Sequence, residues 1–448
     1  WLPDRTTRHW GIAVQLYLLR SDTNWGIGDF SDLKALVKTA GARGCAVLGL
    51  NPLHQMFLDD PEAASPYSPA TRLFLNPLYI DVPSVPEFNQ SDAAQALVQS
   101  PSFRQRLEKS RAAKLVDYTA VTALKLEALR LVYDSFLASA SYQRQQAFAA
   151  FRAQKGESLE RASLFQVLRQ HLGANWRQWP AELQDVDSEA GLQFAREHQA
   201  ETDFQTWLQF VADEQLALAA NEARQQGMSI GLYRDLAVGC DGSGAETWAN
   251  PPAFLQRTLV GAPPDIFNPA GQNWGLPPFD PAALREEGYR SFAELIRANM
   301  RHAGGLRIDH VMGLRRLYCI PDGKSSAEGA YVCFPLDDLI GVLALESQRQ
   351  QCLIVGEDLG TVPPGFREKL AGANILSYRV LFFEQDFDTA IFAEPDDYPE
   401  LALAVSGSHD LPTLKAWWGG EDIALKESLG LYKGHEETAD QNDRRDRE

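Results

Sequence analysis

The chain has 448 residues and a net charge of −18, with 45% hydrophobic and 23% charged residues. This length fits one large barrel with insertions, or two to three domains. The negative charge argues against nucleic acid and anionic membranes as partners, because both attract a positive surface. No apolar run approaches the ~18 residues of a membrane span, and the first residues lack the features of a signal peptide.

The cysteines are five in number, are scattered and include no C-x-x-C pair. They are Cys45, Cys240, Cys319, Cys333 and Cys352. Such a set predicts small core residues in a reducing compartment rather than a disulfide framework. We therefore expect a cytoplasmic protein.

The first predicted elements form a βαβ unit. The apolar run 11–19 predicts a strand, and residues 29–40 predict a helix because apolar residues recur there at helical spacing. A second buried strand follows at 46–50. We expect a long loop over 55–90, in which prolines form a turn that presents Tyr67.

Residues 91–203 have helical periodicity and no strand signal, which predicts a helical insertion. The alternation then resumes with a helix near 204–226 and strands at 228–235, 304–309, 352–356, 375–383 and 401–405. A loop of roughly fifty residues follows position 235, and loops of that length are usually functional. We predict the first part of a barrel at 9–90, the insertion at 91–203, the rest of the barrel at 204–433 and a charged tail at 434–448.

Carboxylates stand at or just beyond the ends of several predicted strands: Asp235, Asp309, Glu357 and Asp410. Strands alternating with helices favour the α/β class, and in a (β/α)8 barrel these strand ends face one pocket. A doubly wound sheet would also bind ligands at strand ends, but no Gly-rich phosphate turn is present near the start. We therefore predict a TIM-type barrel with a large helical insertion and long active-site loops.

The spacing of these carboxylates favours acid/base chemistry over a metal site. A hard-cation site would place several oxygen ligands in one loop, whereas these residues fall on separate βα units. The pattern predicts glycoside chemistry, in which one carboxylate attacks the anomeric carbon and another protonates the leaving oxygen. We expect no metal and no cofactor.

The surroundings of each carboxylate suggest a role. Arg307 stands two residues before Asp309, so both leave one face of a strand and the cation favours an ionised nucleophile. Glu357 follows an apolar strand, where desolvation raises a carboxyl pKa as a general acid/base requires. Asp410 follows His409 and suits stabilisation of positive charge. Each residue, taken alone, also fits a purely structural role.

Two tryptophans lie in loops between asparagine and glycine, at Asn24-Trp25-Gly26 and Asn273-Trp274-Gly275. Core packing accounts for most aromatic residues. In this loop context, stacking on the apolar face of a pyranose ring is the second interpretation.

The motifs Gly-Leu-Arg-Ile-Asp-His, Val-Gly-Glu-Asp-Leu-Gly and Ser-His-Asp-Leu-Pro-Thr resemble those of the amylomaltase family, the 4-alpha-glucanotransferases. The stretches around Trp25, Tyr67, Asp265 and Trp274 agree, and the resemblance runs from about residue 9 to residue 433. It implies that alpha-1,4-glucan segments are transferred between maltodextrins with retention of configuration. The implied partners are malto-oligosaccharides and glucose.

The resemblance also implies roles for individual residues. Asp309 matches the nucleophile, Glu357 the acid/base and Asp410 the transition-state stabiliser. The expected glucan-contacting residues are Tyr67, Asp235, Asp265, Trp274, Arg307, His310 and His409. The loop from Asp265 to Trp274 matches one that covers the bound glucan, and Trp274 and Phe267 are the candidates for excluding water.

The chain departs from the family pattern at its end. The resemblance implies an eighth barrel strand after Asp410, and the sequence from there to residue 448 shows none, so we expect the last strand to be missing from this chain. The tail then marks a truncation point, and a barrel without one strand leaves open edges. An alpha-glucan hydrolase and a non-catalytic glucan-binding fragment remain alternatives, and the oligomeric state is not predicted.

Overall fold

The computed structural model describes residues 1–3, 7–265, 268–386, 389 and 391–432. The chain forms two compact units, Trp1–Leu353 and Ile354–Glu448. Its strands are β1 Gly11–Val14, β2 Val47–Leu50, β3 His54–Gln55, β4 Thr71–Leu75, β5 Gly231–Leu236, β6 Thr258–Ala262, β7 Gln272–Leu276, β8 Gly305–Ile308, β9 Arg316–Pro321, β10 Ala330–Cys333, β11 Leu353–Gly356, β12 Leu376–Val380, β13 Gln385–Asp386, β14 Ile391–Phe392 and β15 Ala402–Val405.

The α-helices fall mostly between the parallel strands. They are α1 Phe30–Gly41, α2 Asp92–Gln99, α3 Pro101–Ala112, α4 Tyr118–Ser139, α5 Tyr142–Leu172, α6 Ala181–Gln184, α7 Glu189–Glu197, α8 Gln199–Gln225, α9 Ala245–Ala249, α10 Pro281–Glu286, α11 Arg290–Met300, α12 Leu336–Gln350, α13 Phe366–Gly372, α14 Leu414–Trp418 and α15 Glu421–Ser428.

Parallel strands form the centre of the first unit, in the order β1–β2–β5–β8. β2 pairs with β1 on one side and with β5 on the other, and β5 pairs with β8. Every residue of β5 and β8 is buried. A strand that is buried on both faces has a nearly continuous apolar sequence, without the alternation of a half-buried strand. The strands predicted from the sequence have this continuous apolar pattern.

In the second unit, β11, β12 and β15 are parallel neighbours, with α13 connecting the first two. Parallel strands joined by helices in both units confirm the predicted α/β class. Two predicted strands are shorter than expected, because the chain turns into short 3-10 segments after Val14 and after Val380.

Helix α1 illustrates why the predicted boundaries were close. Asp29 caps its start by accepting hydrogen bonds from the backbone N–H groups of Ser31 and Asp32, while the Asp32 side chain accepts from the Asp29 N–H. This reciprocal arrangement satisfies donors that a helix start otherwise leaves unpaired. Leu33 and Val37 then bury one face of the helix.

The prediction of two long loops is wrong in part, because both ranges contain short strands. Residues 55–90 contain β4, which pairs antiparallel with β3 at the start of this range. The roughly fifty residues after position 235 contain α9 and the strands β6 and β7, which belong to an antiparallel sheet ordered β10–β9–β6–β7. These strands are short and carry glycine and asparagine, and β6 pairs with β9, which lies far along the chain, so local alternation could not identify them.

Residues 91–203 are helical and contain no strand, as predicted; they are all described, and the subdomain limits stay predictions. The insertion shares its apolar core with the first part of the chain, because Leu124 and Phe136 belong to the same buried cluster as Leu33. Lys125 on α4 is 1% exposed, and its Nζ donates hydrogen bonds of 2.7 Å to two carbonyl oxygens of the preceding segment, those of Leu78 and Ile80.

All five cysteines are free, and four are buried as predicted, whereas Cys333 is exposed. Among the described residues, no helix combines the length and apolarity that crossing a membrane requires. The predicted tail 434–448 lies outside the described residues. The expected absence of a last barrel strand therefore stays a prediction.

Candidate active site

The neighbouring ends of β5 and β8 bring three predicted residues together. The two strands are in parallel register with Asp235 opposite Arg307, and the Asp309 N–H continues the ladder by donating to the Leu236 carbonyl at 3.0 Å. Side chains two residues apart leave the same side of a strand. The register therefore directs two carboxylates toward one guanidinium.

Arg307 is shared between these two carboxylates. Its Nη1 lies 2.8 Å from Asp235 Oδ1 and 2.9 Å from Asp309 Oδ1. The side chains of Arg307 and Asp235 are only 5% and 6% exposed, whereas that of Asp309 is 16% exposed. Asp309 is thus the carboxylate of this pair that a ligand can reach more easily.

Tyr67 completes the cluster from the proline-rich turn. Its hydroxyl donates a 2.8 Å hydrogen bond to Asp235 Oδ2. Burial raises the pKa of Asp235, Arg307 opposes that shift, and the negative charge of Asp309 adds to it. Burial, together with the charge of Asp235, also raises the pKa of Tyr67. Tyr67 therefore stays a neutral hydrogen-bond donor across the physiological pH range.

Glycine is required at the start of β8, at positions 304 and 305, because the chain packs very closely there. A Cβ on Gly304 would lie 1.6 Å from the carbonyl oxygen of Ile230, and one on Gly305 would lie 2.8 Å from the ring of Tyr233. Side chains at these positions would push β8 away from the segment that leads into β5. The two glycines thus set the spacing on which the Asp235–Arg307 contact depends.

His310 follows Asp309 in a left-handed conformation, with φ at 47°. This region is unfavourable for residues other than glycine, and such residues concentrate at functional sites. Burial lowers the pKa of His310 to about 4. The ring of Trp274 meets that of His310 edge to face, with centroids 5.2 Å apart. His310 is therefore a neutral imidazole at pH 7, supported by an aromatic side chain.

The β6–β7 hairpin, residues 258–276, carries two further predicted residues. Asp265 is exposed, and its Oδ1 accepts a 2.6 Å hydrogen bond from the Asn268 N–H. Trp274 lies on β7, and its Nε1 donates to Gln272 Oε1 at 2.8 Å. Phe267, the other candidate for excluding water, lies outside the described residues.

In the second unit, Glu357 directly follows β11 and is 7% exposed. Its Oε1 accepts a 2.8 Å hydrogen bond from the Leu359 N–H. The neighbouring Asp358 is fully buried and accepts from Arg367 Nε at 2.7 Å, Ser377 Oγ at 2.6 Å and the Tyr378 N–H at 2.9 Å. Asp358 therefore fixes the chain immediately beside Glu357.

Asp358 was not among the residues predicted for the site. The sequence signal for Asp358 was its place beside Glu357 after a buried strand. In extended backbone, two neighbouring side chains point to opposite sides of the chain. Asp358 is a positioning residue, since it holds the strand end through its own hydrogen bonds.

His409 and Asp410 lie beyond β15 in the same unit. His409 Nε2 is 3.3 Å from Asp410 Oδ1, and the Asp410 N–H donates to Ser408 Oγ at 3.3 Å. The Asp410 side chain is 74% exposed. The predicted His–Asp neighbours are therefore in contact, and the carboxylate is open to solvent.

Trp25 corrects one expectation about loop aromatics. It is 3% exposed, and its ring packs edge to face against Phe103 of α3, with centroids 5.2 Å apart. Stacking on a sugar is wrong for Trp25, because the helical insertion covers it. Core packing is the correct interpretation there.

Comparison with known proteins gives a consistent result. The chain is 41% identical to a 4-alpha-glucanotransferase of Haemophilus influenzae, over 95% of this chain and 62% of that protein. It is 39% identical to one of Mycobacterium tuberculosis, over 100% of this chain and 63% of that protein. The amylomaltase structure from Corynebacterium glutamicum matches with a TM-score of 0.86 at 34% identity, over 98% of this chain and 60% of that one.

The structural match confirms the predicted α/β fold of the TIM-barrel type. The chain spans about 60% of the length of these relatives. The family profile described as 4-alpha-glucanotransferase (Glyco_hydro_77) matches residues 14–447. By sequence and by fold, this chain belongs to the 4-alpha-glucanotransferase family.

Proposed function

We propose that the protein represented by this chain transfers alpha-1,4-glucan segments from one maltodextrin to the 4-hydroxyl of another, or of glucose. Configuration is retained through two displacements at the anomeric carbon. The observation that carries the proposal is the shared guanidinium of Arg307, which contacts both Asp235 and Asp309 at the ends of two parallel strands in a chain of this family.

The proposed roles follow the chemistry of retaining glycoside enzymes. Asp309 attacks the anomeric carbon while Glu357 gives its proton to the departing O4, so the glycosidic bond breaks as a glycosyl ester forms. Glu357 then takes the proton from the acceptor hydroxyl, which displaces Asp309. Asp410 stabilises the positive charge that develops on the sugar ring in both steps.

The support for Asp309 as nucleophile is electrostatic and geometric. The Arg307 guanidinium lies 2.9 Å from Asp309 Oδ1 and orients this carboxylate, and the Asp309 side chain is 16% exposed. Asp235 differs, because Tyr67 and Arg307 both donate to it and it is almost completely buried. We propose that Asp235 holds Arg307 in place from the side opposite Asp309.

Further side chains are proposed to contact the glucan. Tyr67, Asp235, Arg307, His310 and His409 are proposed to orient the nucleophile and the reacting sugar. Asp265 and Trp274 are proposed to act from the β6–β7 hairpin, where Trp274 offers an aromatic face. An acceptor sugar held in place competes with water through its effective concentration, which favours transfer.

The proposed partners are malto-oligosaccharides and glucose, and the proposed location is the cytoplasm. The free cysteines support a reducing compartment. The net charge of −18 supports the absence of nucleic acid and anionic membranes among the partners. The proposed reaction needs no cofactor.

The test is to incubate the full-length protein with maltotriose and separate the products by chain length. Transfer should give glucose together with a ladder of longer maltodextrins. The Asp309→Asn variant should lose at least about 10⁴-fold in rate, since removing a nucleophile is among the largest single losses measured in enzymes.

Three outcomes would contradict the proposal. New reducing ends without longer chains would indicate an alpha-glucan hydrolase. Maltodextrin binding without turnover would indicate a glucan-binding protein. Full activity in Asp309→Asn would remove Asp309 from the nucleophile role.

A further inference from the structure

Three side chains with metal-binding chemistry meet in the helical insertion, where α5 ends and α8 begins. His171 lies in the last turn of α5, His198 directly precedes α8, and Glu201 lies in the first turn of α8. His171 Nε2 is 3.1 Å from Glu201 Oε2, and His198 Nδ1 is 2.8 Å from Glu201 Oε1. One carboxylate thus receives two imidazoles from different helices.

These distances are close to those between the ligands of a tetrahedral zinc ion. Zinc binds imidazole nitrogen and carboxylate oxygen at about 2.0–2.2 Å, which separates neighbouring ligand atoms by about 3.3 Å. The ligand atoms of the three residues all lie within 4.8 Å of one another. Small side-chain rotations are therefore enough to place a zinc ion among them.

The two histidine rings are held in place by their surroundings. Phe194 stacks on His198 with centroids 4.2 Å apart and meets His171 edge to face at 5.7 Å. The carbonyl oxygen of His198 accepts hydrogen bonds from the N–H groups of Glu201 and Thr202, at 3.1 and 3.0 Å. Ligands fixed in this way lose little freedom when a metal binds.

The alternative is a set of ordinary ion pairs that stabilise the start of α8. Two features favour a metal. Both ring nitrogens point at one carboxylate, whereas capping a helix start needs only one partner. The side chains of His171 and Glu201 are each 40% exposed, which leaves space for an ion from solvent and for water as a fourth ligand.

We propose that His171, His198 and Glu201 form a zinc site that links the end of α5 to the start of α8. Two imidazoles and one carboxylate are a ligand set that zinc uses in proteins. No metal was expected from the sequence, since the spacing of the strand-end carboxylates does not suit one and this cluster lies apart from them. The 26 residues between the two histidines hide the pattern from any motif of short spacing.

The test is isothermal titration of the whole chain with ZnCl₂. Because the exposed thiol of Cys333 could also take zinc, all proteins carry Cys333→Ser. We expect one zinc per chain and a rise in the unfolding temperature on binding. His171→Ala and Glu201→Gln should each weaken binding at least about tenfold, since even changes outside the direct ligands have that effect.

The matched control is His9→Ala, which removes a histidine elsewhere in the chain and should leave binding unchanged. Co²⁺ in place of zinc should give a visible absorption band that Glu201→Gln abolishes. Glutamine has nearly the same shape as glutamate. Glu201→Gln therefore tests the zinc site even if His171→Ala does not fold. Absence of one-to-one binding, or equal affinity in Glu201→Gln and His9→Ala, would show that the cluster is a set of ion pairs only.

Discussion

Replacing Arg307 by methionine removes the cation that Asp235 and Asp309 share and keeps the side chain's length. The cation contacts the two carboxylates at 2.8 and 2.9 Å. In the Arg307→Met variant these carboxylates face each other with no positive charge between them. Asp235 is the more affected of the two because it is almost completely buried.

The size of the effect follows from the charges and their burial. Each carboxylate–guanidinium pair with charge centres about 4 Å apart gains about 4 kcal/mol at an effective dielectric constant near 20. Much of this gain offsets the cost of taking the charges out of water. Removing one partner of a buried pair costs about 3–5 kcal/mol in measured cases, and we expect a loss of that size at pH 8.

The loss should depend on pH, with a sign that the pKa shifts determine. Burial raises the pKa of Asp235 and Arg307 opposes that shift, so without Arg307 the folded-state pKa rises further above the unfolded value. A group of this kind destabilises the folded state most when it is ionised, at high pH. The penalty should shrink as the pH falls through the folded-state pKa, because the carboxyl takes up a proton.

The assay is urea unfolding followed by tryptophan fluorescence at pH 8 and pH 5. Arg196→Met is the control, because Arg196 pairs at 3.0 Å with Glu189 through side chains that are 59% and 84% exposed. Such exposed pairs contribute about 0–1 kcal/mol. Equal losses of stability in the two variants, or an Arg307→Met deficit of the same size at both pH values, would refute the proposed role of Arg307 as a shared cation.

Two other substitutions test contacts of the candidate site through the free energy of unfolding. Tyr67→Phe deletes the hydroxyl that donates to Asp235, and loss of a hydrogen bond to a charged group should cost about 1.5–3 kcal/mol. Gly304→Ala puts a Cβ 1.6 Å from the carbonyl oxygen of Ile230, and we expect a loss of about 3 kcal/mol or more because backbone must move. Urea unfolding measures both effects.

Each of these substitutions has a natural control in the chain. Tyr142→Phe changes a tyrosine that is 77% exposed and should leave stability within about 0.5 kcal/mol. Gly341→Ala lies inside α12 with open space around its Cβ position and should stabilise the chain by about 0.5–1 kcal/mol. A Tyr67→Phe effect no larger than that of Tyr142→Phe, or a tolerated Gly304→Ala, would contradict the contacts described above.

The part of the site that depends on local geometry was predictable. Two residues on one strand alternate in a fixed way, so the contact between Arg307 and Asp309 followed from their spacing. The involvement of Asp235 depended on the register of β5 against β8, which no local pattern encodes. Tyr67 is 168 positions from Asp235 in the chain, and only the fold brings the two together.

The two tryptophans show a second limit of local context. Trp25 and Trp274 both stand between asparagine and glycine, yet one is buried against Phe103 and the other packs on His310. Whether a loop residue is buried depends on segments that are distant in the sequence. Trp25 is buried because the helical insertion packs over it. Composition around a residue therefore did not decide between core packing and a surface role.

The buried ammonium group of Lys125 has a consequence for how the insertion relates to the rest of the first unit. Lys125 fastens α4 to the preceding segment. If α4 separated from that segment, the ammonium group would lose its hydrogen bonds to the carbonyl oxygens of Leu78 and Ile80. Excision of residues 91–203 would also expose apolar side chains of α8, because Trp207 packs on Tyr133 of α4 and Phe210 packs on Phe151 of α5. The helical insertion separates the barrel strands in the sequence, and it also stabilises the fold of the first unit.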